Sequence, residues 1–160
     1  IMSKAKILPV EQTEKAGLFT LCFESDDASE FEKFISKFKD DAFCQRDLQI
    51  ILSALQRMLM ASGFLERDFR PEGKMKDNVC ALPIGGGKLR LYCLRLSDNV
   101  LIVGNGGHKT TKTYEESEEL NGYVISLQKL DELIKNDIRD GEITIEEKSI
   151  NGIDDKFFDL

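Results

Sequence analysis

Apolar and polar residues alternate along the chain in patterns that predict its elements one after another. Residues 17–24, GLFTLCFE, form a β-prone run bounded by Gly17 and by Ser25-Asp26-Asp27, and predict a strand. A helix follows, with Phe31, Phe34, Ile35 and Phe38 on one face and Asp27 and Glu30 spaced as a capping pair at its start. A second helix over 44–62 carries the stripe Leu48, Ile51, Leu52, Leu55, Met58 and Leu59 and stops at Gly63. From Asp77 the period becomes strand-like: Val79–Leu82, a GGG turn at 85–87, Lys88–Leu96, a turn at Ser97-Asp98-Asn99, then Val100–Gly104. Tight connections between β-prone runs predict a three-stranded antiparallel meander. Its third run, NVLIVGNG, is nearly continuous in apolar residues, as a strand buried on both faces should be. The polar stretch GGHKTTKTYEESEE belongs at the rim of the sheet. A third helix is predicted over Ser126–Arg139, with Leu127, Leu130, Leu133, Ile134 and Ile138 in phase, and EITIEEK alternates as an edge strand or extended arm would.

Together these elements predict an α+β domain with helices packed on a twisted antiparallel sheet. A chain of 160 residues buries about two thirds of the surface its unfolded form exposes, so neither disulfides nor metal are needed to hold it. The 41% hydrophobic content excludes a disordered chain, and no run of about 18 apolar residues exists to cross a membrane. Ile1-Met2-Ser3-Lys4 leads into a mixed-polarity stretch, unlike a secretory signal. Cys22, Cys44, Cys80 and Cys93 show none of the paired spacings of zinc or redox sites, and three of them sit in apolar runs. Buried free thiols and a reducing cytoplasm are the expectation.

The net charge of -7 argues against nucleic acid until it is divided along the chain. Residues 1–65 carry -2, residues 66–113 carry +4 and residues 114–160 carry -9. A basic centre can still contact phosphates if the acidic C-terminal third lies elsewhere.

His108 is the only histidine, and no second ligand stands at a metal-binding interval from it, so no metal or other cofactor is expected. VGNGGHKTTK resembles a phosphate-binding loop, but His108 separates Gly107 from Lys109 where that motif allows no residue. What remains is a set of basic and phenolic groups on neighbouring parts of the predicted sheet. Arg70, Lys74 and Lys76 precede the meander, Arg90, Tyr92 and Arg95 lie on its second strand, and His108, Lys109, Lys112 and Tyr114 follow its third. Arg90 and Tyr92 share a face by the period of two. Such a set suits phosphodiester cleavage: a guanidinium neutralises the phosphorane, one group takes the ribose 2′-OH proton and another protonates the leaving 5′-oxygen. A solvated basic patch is the other reading of the same residues.

The stretches FRPEGKMKDNVCALP and KLRLYCLRLSDNVLIVGNGGHKTTKTYEE, with the order strand, two helices and antiparallel sheet, resemble the RelE/HigB-like toxins of bacterial toxin–antitoxin systems. The likeness covers residues 17–118. It implies ribosome-dependent mRNA cleavage to a 2′,3′-cyclic phosphate, with a cognate antitoxin, the ribosome and mRNA as partners. By resemblance, Arg90 corresponds to the strand arginine that steadies the phosphate, Lys74 and Lys76 to the preceding lysines, and Lys109 or Lys112 to the basic residue after the last strand. Tyr114 corresponds to the late tyrosine that stacks on the base or transfers a proton. Arg70, Tyr92, Arg95 and His108 are expected to contact RNA. The chain departs from the family in its acidity and in the added residues 119–160, for which two roles are open: a helix that extends the core, or an acidic cover over the basic sheet. A catalytically inactive module that binds a protein partner, and a toxin aimed at a protein target, are the alternative functions.

Overall fold

The computed structural model describes residues 3–72, 77–83, 87–110 and 114–160. In chain order the described strands are β1 (Lys4–Gln12), β2 (Gly17–Phe23), β3 (Arg70–Pro71), β4 (Val79–Pro83), β5 (Leu89–Ser97), β6 (Val100–His108), β7 (Thr144–Glu146), β8 (Ser149–Asn151) and β9 (Phe158–Asp159). The α-helices are α1 (Glu30–Phe38), α2 (Gln45–Arg57) and α3 (Glu118–Arg139). Seven strands form one sheet in the order β3-β4-β5-β6-β2-β1-β9, and β7 and β8 form a separate hairpin. All pairings in the large sheet are antiparallel except β2 with β6. Lys74, Lys76, Lys112 and most of the expected GGG turn lie outside the described residues.

Helices cover both faces of this sheet. On one, Phe31 and Phe34 of α1 and Leu48 and Ile51 of α2 pack on Leu91 and Leu101. On the other, Val124, Leu127 and Ile134 of α3 pack on Phe19, Leu94 and Ile102. β6 is therefore central and covered twice, which explains why its sequence is apolar without alternation; only His108 at its end is exposed.

Local chemistry sets the helix ends. The start of α1 is capped by Ser29 and not by Asp27: Ser29 Oγ accepts the Glu32 N–H at 3.2 Å while Glu32 Oε1 accepts the Ser29 N–H at 3.2 Å. Glu30, expected as the capping acid, is instead buried against Lys33 at 2.8 Å. α2 runs as expected and then widens into a π-helical turn, Met58–Ser62. Gly63 ends it with φ +76, where a Cβ would stand 2.6 Å from the Asp98 carbonyl oxygen. α3 begins at Glu118, well before the expected Ser126, because Leu120 and Val124 find burial on the sheet that outweighs Gly122 and the polar start.

The C-terminal third builds core. Ile143, Ile150, Ile153 and Phe158 are buried, β9 pairs with β1, and the β7–β8 hairpin is tied to β1 by Gln12, whose Nε2 donates to the Lys148 carbonyl at 3.0 Å. The hairpin and arm thus lie at the β1 edge, the opposite edge from β3, β4 and β5. α3, the first part of the same extension, packs on β4, β5 and β6. No described helix is long and apolar enough to cross a membrane.

Candidate functional site

Strand pairing decides which candidate side chains meet. Arg70 pairs with Ala81, which pairs with Tyr92, and Ala81 and Tyr92 both belong to the core beneath α3. Arg70, Arg90 and Tyr92 therefore share the α3 face of the sheet, as does Glu72, two residues beyond Arg70. Tyr114, in a short 3₁₀ turn leading into α3, packs on the same core, and its ring meets Tyr92 edge-on at 6.4 Å between centroids and 68° between planes. Lys109 follows β6, its N–H donating to the Lys88 carbonyl at 2.7 Å.

Two predicted site residues stand apart. Arg95 is on the α1/α2 face, where its Nε donates to the Phe64 carbonyl at 2.7 Å and Nη2 pairs with Asp98. It fixes the end of the π-helical turn against the β5–β6 connection. His108 pairs with Leu89, whose side chain is in the α1/α2 core, so His108 lies on that face too and is exposed. The structure brings together Arg70, Arg90, Tyr92, Lys109 and Tyr114 and leaves Arg95 and His108 outside.

Glu72, absent from the sequence-derived candidates, is the acid of this cluster. Burial raises its carboxyl above the ordinary range, against the opposing pull of Lys109, Arg70 and Arg90. Tyr92 is wholly shielded from solvent, and burial, with Glu72 and Tyr114 adding to it and Arg90 opposing, pushes its phenol far up. It stays neutral, keeping its proton. Each of these groups thus feels several of the others, which places them in one electrostatic neighbourhood. A lone acid inside FRPEGKMK was the one available sequence clue, and its basic neighbours masked it.

Buried polar atoms are normally satisfied, and two here are not: among the described residues, Arg90 Nε and Tyr92 OH have no hydrogen-bond partner. Arg90 donates from Nη1 to the Gly87 and Leu89 carbonyls at 2.9 and 3.1 Å. Opposite Tyr92 the β6 strand carries an extra residue, since Leu91 faces Gly106 while Cys93 already faces Val103. The bulge formed by Gly104 and Asn105 bends the sheet at the site. Its freed Gly106 N–H donates to Asn105 Oδ1 at 2.8 Å, and Gly106 admits no side chain, because a Cβ would fall 1.9 Å from the Arg90 carbonyl oxygen.

Lys37 fastens this bulge from α1. Its Nζ donates to the Gly106 carbonyl at 2.7 Å, to Tyr123 OH at 3.0 Å and to Glu119 Oε1 at 3.3 Å, joining α1, β6 and α3. Burial lowers the Lys37 ammonium below its usual value, with Glu119 opposing. Among the described residues no three His, Cys, Asp or Glu side chains converge as a metal site. Guanidinium, ammonium, one carboxyl with raised proton affinity and two phenols can bind an anion and move protons on either side of it. Compared with protein-family models, with curated proteins and with solved structures, the chain finds no match.

Proposed function

We propose that the protein is a RelE/HigB-like endoribonuclease toxin that cleaves mRNA on the ribosome in a bacterial cytoplasm and is held in check by a cognate antitoxin. Unsatisfied Arg90 Nε and Tyr92 OH inside a basic, phenolic cluster carry this reading, since donors left open beside Glu72 suit a phosphate and its reacting oxygens. The order β2, two helices and antiparallel strands, with β2 beside β6, the last strand of the meander, and β1 added ahead of it, is in keeping with it.

In this reading Glu72 takes the 2′-OH proton, and its raised proton affinity makes it a stronger base than an exposed carboxylate. The 2′-oxygen forms its bond to phosphorus, Arg90, Arg70 and Lys109 neutralise the phosphorane, and the bond from phosphorus to the 5′-oxygen breaks. Tyr114, half-buried, passes its proton to that leaving oxygen. Tyr92, held neutral, supplies a hydrogen bond from beneath. The products are a 2′,3′-cyclic phosphate and a 5′-hydroxyl. Lys74, Lys76 and Lys112 contribute further positive charge along the RNA path.

Ribosomes programmed with end-labelled mRNA test this directly. Wild-type protein yields fragments ending in a cyclic phosphate, Arg90→Ala slows cleavage by about a hundredfold or more, and Arg90→Ala with Tyr114→Phe abolishes growth arrest on induction. Indifference to these changes leaves the partner-binding module as the better account, a reading to which the full enclosure of Tyr92 lends weight.

A further inference from the structure

The outer face of α2 carries an apolar row that nothing in the fold covers. Phe43 is 93% exposed, Met60 64% and Ile50 43%, while Leu48, Ile51 and Leu55 on the inner face of α2 are buried. Asp47, Ile50, Ala54 and Arg57 succeed one another on α2 in steps of three and four residues, the spacing of a helix-pair seam, with Phe43 in the turn before the helix and Ala61 in the π-helical turn after it standing four residues beyond either end. Phe43, Ile50 and Arg57 stand exposed along it, while Asp47 and Ala54 are half-sunk against the neighbouring core and Ala61 is small.

We propose that this face binds a second copy of the chain, α2 against α2 in antiparallel two-fold symmetry. Antiparallel seams stack each protruding position on a recessed one, and the only register that does so along the whole row sets Phe43 on Ala61, Ile50 on Ala54 and Arg57 on Asp47 of the partner copy. By symmetry every layer occurs twice, which a two-fold interface requires. Large side chains meet small ones, and the charged layer unites an arginine with a carboxylate, neither of which has an ion-pair partner within its own chain among the described residues. Met60, beside Ala61, extends the cover over Phe43. The seam belongs to the α1/α2 side of the sheet, so the contact leaves the α3 face untouched in both copies. The inference stands independently of the proposed ribonuclease activity.

Sedimentation equilibrium on the full chain, with circular dichroism as the control for folding, decides it. Wild-type protein should be a dimer at about tens of micromolar, and Asp47→Arg or Arg57→Asp alone, which each create like-charge layers, should weaken dimerisation by about tenfold or more. An equimolar mixture of the two single variants restores both layers, as does the double variant D47R/R57D, and both should recover the dimer. Ile50→Glu should yield a folded monomer. A wild-type monomer at about 100 µM, or a wild-type dimer that these folded variants leave unchanged, overturns the proposal.

Discussion

The two faces of the sheet are built from similar apolar residues and finished differently. Beneath α1 and α2 the core is apolar: Phe34, Leu48 and Ile51 are wholly buried, and the β5 arginine on that side, Arg95, has donors committed to Phe64 and Asp98. Beneath α3 the same kind of core passes, toward β3 and β4, into Arg70, Glu72, Arg90, Tyr92 and Tyr114, where Arg90 Nε and Tyr92 OH stay unsatisfied. Among the described residues the α3 face leaves two buried polar atoms without partners, at a cost of about 1–3 kcal/mol each. The unpartnered polar atoms and the α1/α2 core thus lie on opposite sides of the sheet.

The largest expected effect breaks the first face alone. Phe34→Ala removes a side chain with no solvent exposure and an edge-on contact to Phe38 at 5.5 Å. It should lower unfolding free energy by about 3–5 kcal/mol in urea titrations. Cleavage per folded molecule, if the ribonuclease reading holds, should be unchanged at low temperature. A selective loss of cleavage with full stability would show that the two faces are not separate in function.

On the second face the sign should reverse. Tyr92→Phe deletes a buried hydroxyl that has no partner, so the protein should gain about 1 kcal/mol in thermal or chemical unfolding while losing mRNA cleavage. Destabilisation by that variant would mean the phenol is satisfied in solution, and the contrast between the faces would dissolve.

Much of this contrast could be read from periodicity, and its failures have physical causes. The stripes of α1 and α2 were legible because each helix buries one face, whereas β4 and β5 give buried residues to both cores; the period of two still put Arg90 and Tyr92 together. The same period separates Arg95 from them by an odd step, so its place on the far face was available in the sequence. β1 was not legible, since Pro9 and the bulge between Pro9 and Glu11 break its pattern. Nor was the parallel pairing of β2 with β6, because it joins segments about 80 residues apart by contacts that local spacing does not encode. Glu72 and Lys37 escaped for a related reason: burial and neighbours give them their character, and both come from tertiary structure.

The smallest effect concerns pH and sharpens the role of Glu72. Burial raises its folded-state proton affinity above that of the unfolded chain, so between the two values the folded protein binds the proton more tightly. Stability from this group is present at acid pH, below the unfolded value, and is lost as pH rises through the folded one. Glu72→Gln removes the ionisation. Relative to wild type, the variant should therefore gain melting temperature near neutral pH, and that gain should shrink toward pH ~3, where wild-type Glu72 is protonated in both states. Arg70, Arg90 and Lys109 pull the other way, which keeps the difference small. If the variant instead loses more stability at neutral pH than at acid pH, the carboxylate is held chiefly by those cations. Glu72 would then be a partner that orients Arg90, and the base that takes the 2′-OH proton would have to be sought in Lys109.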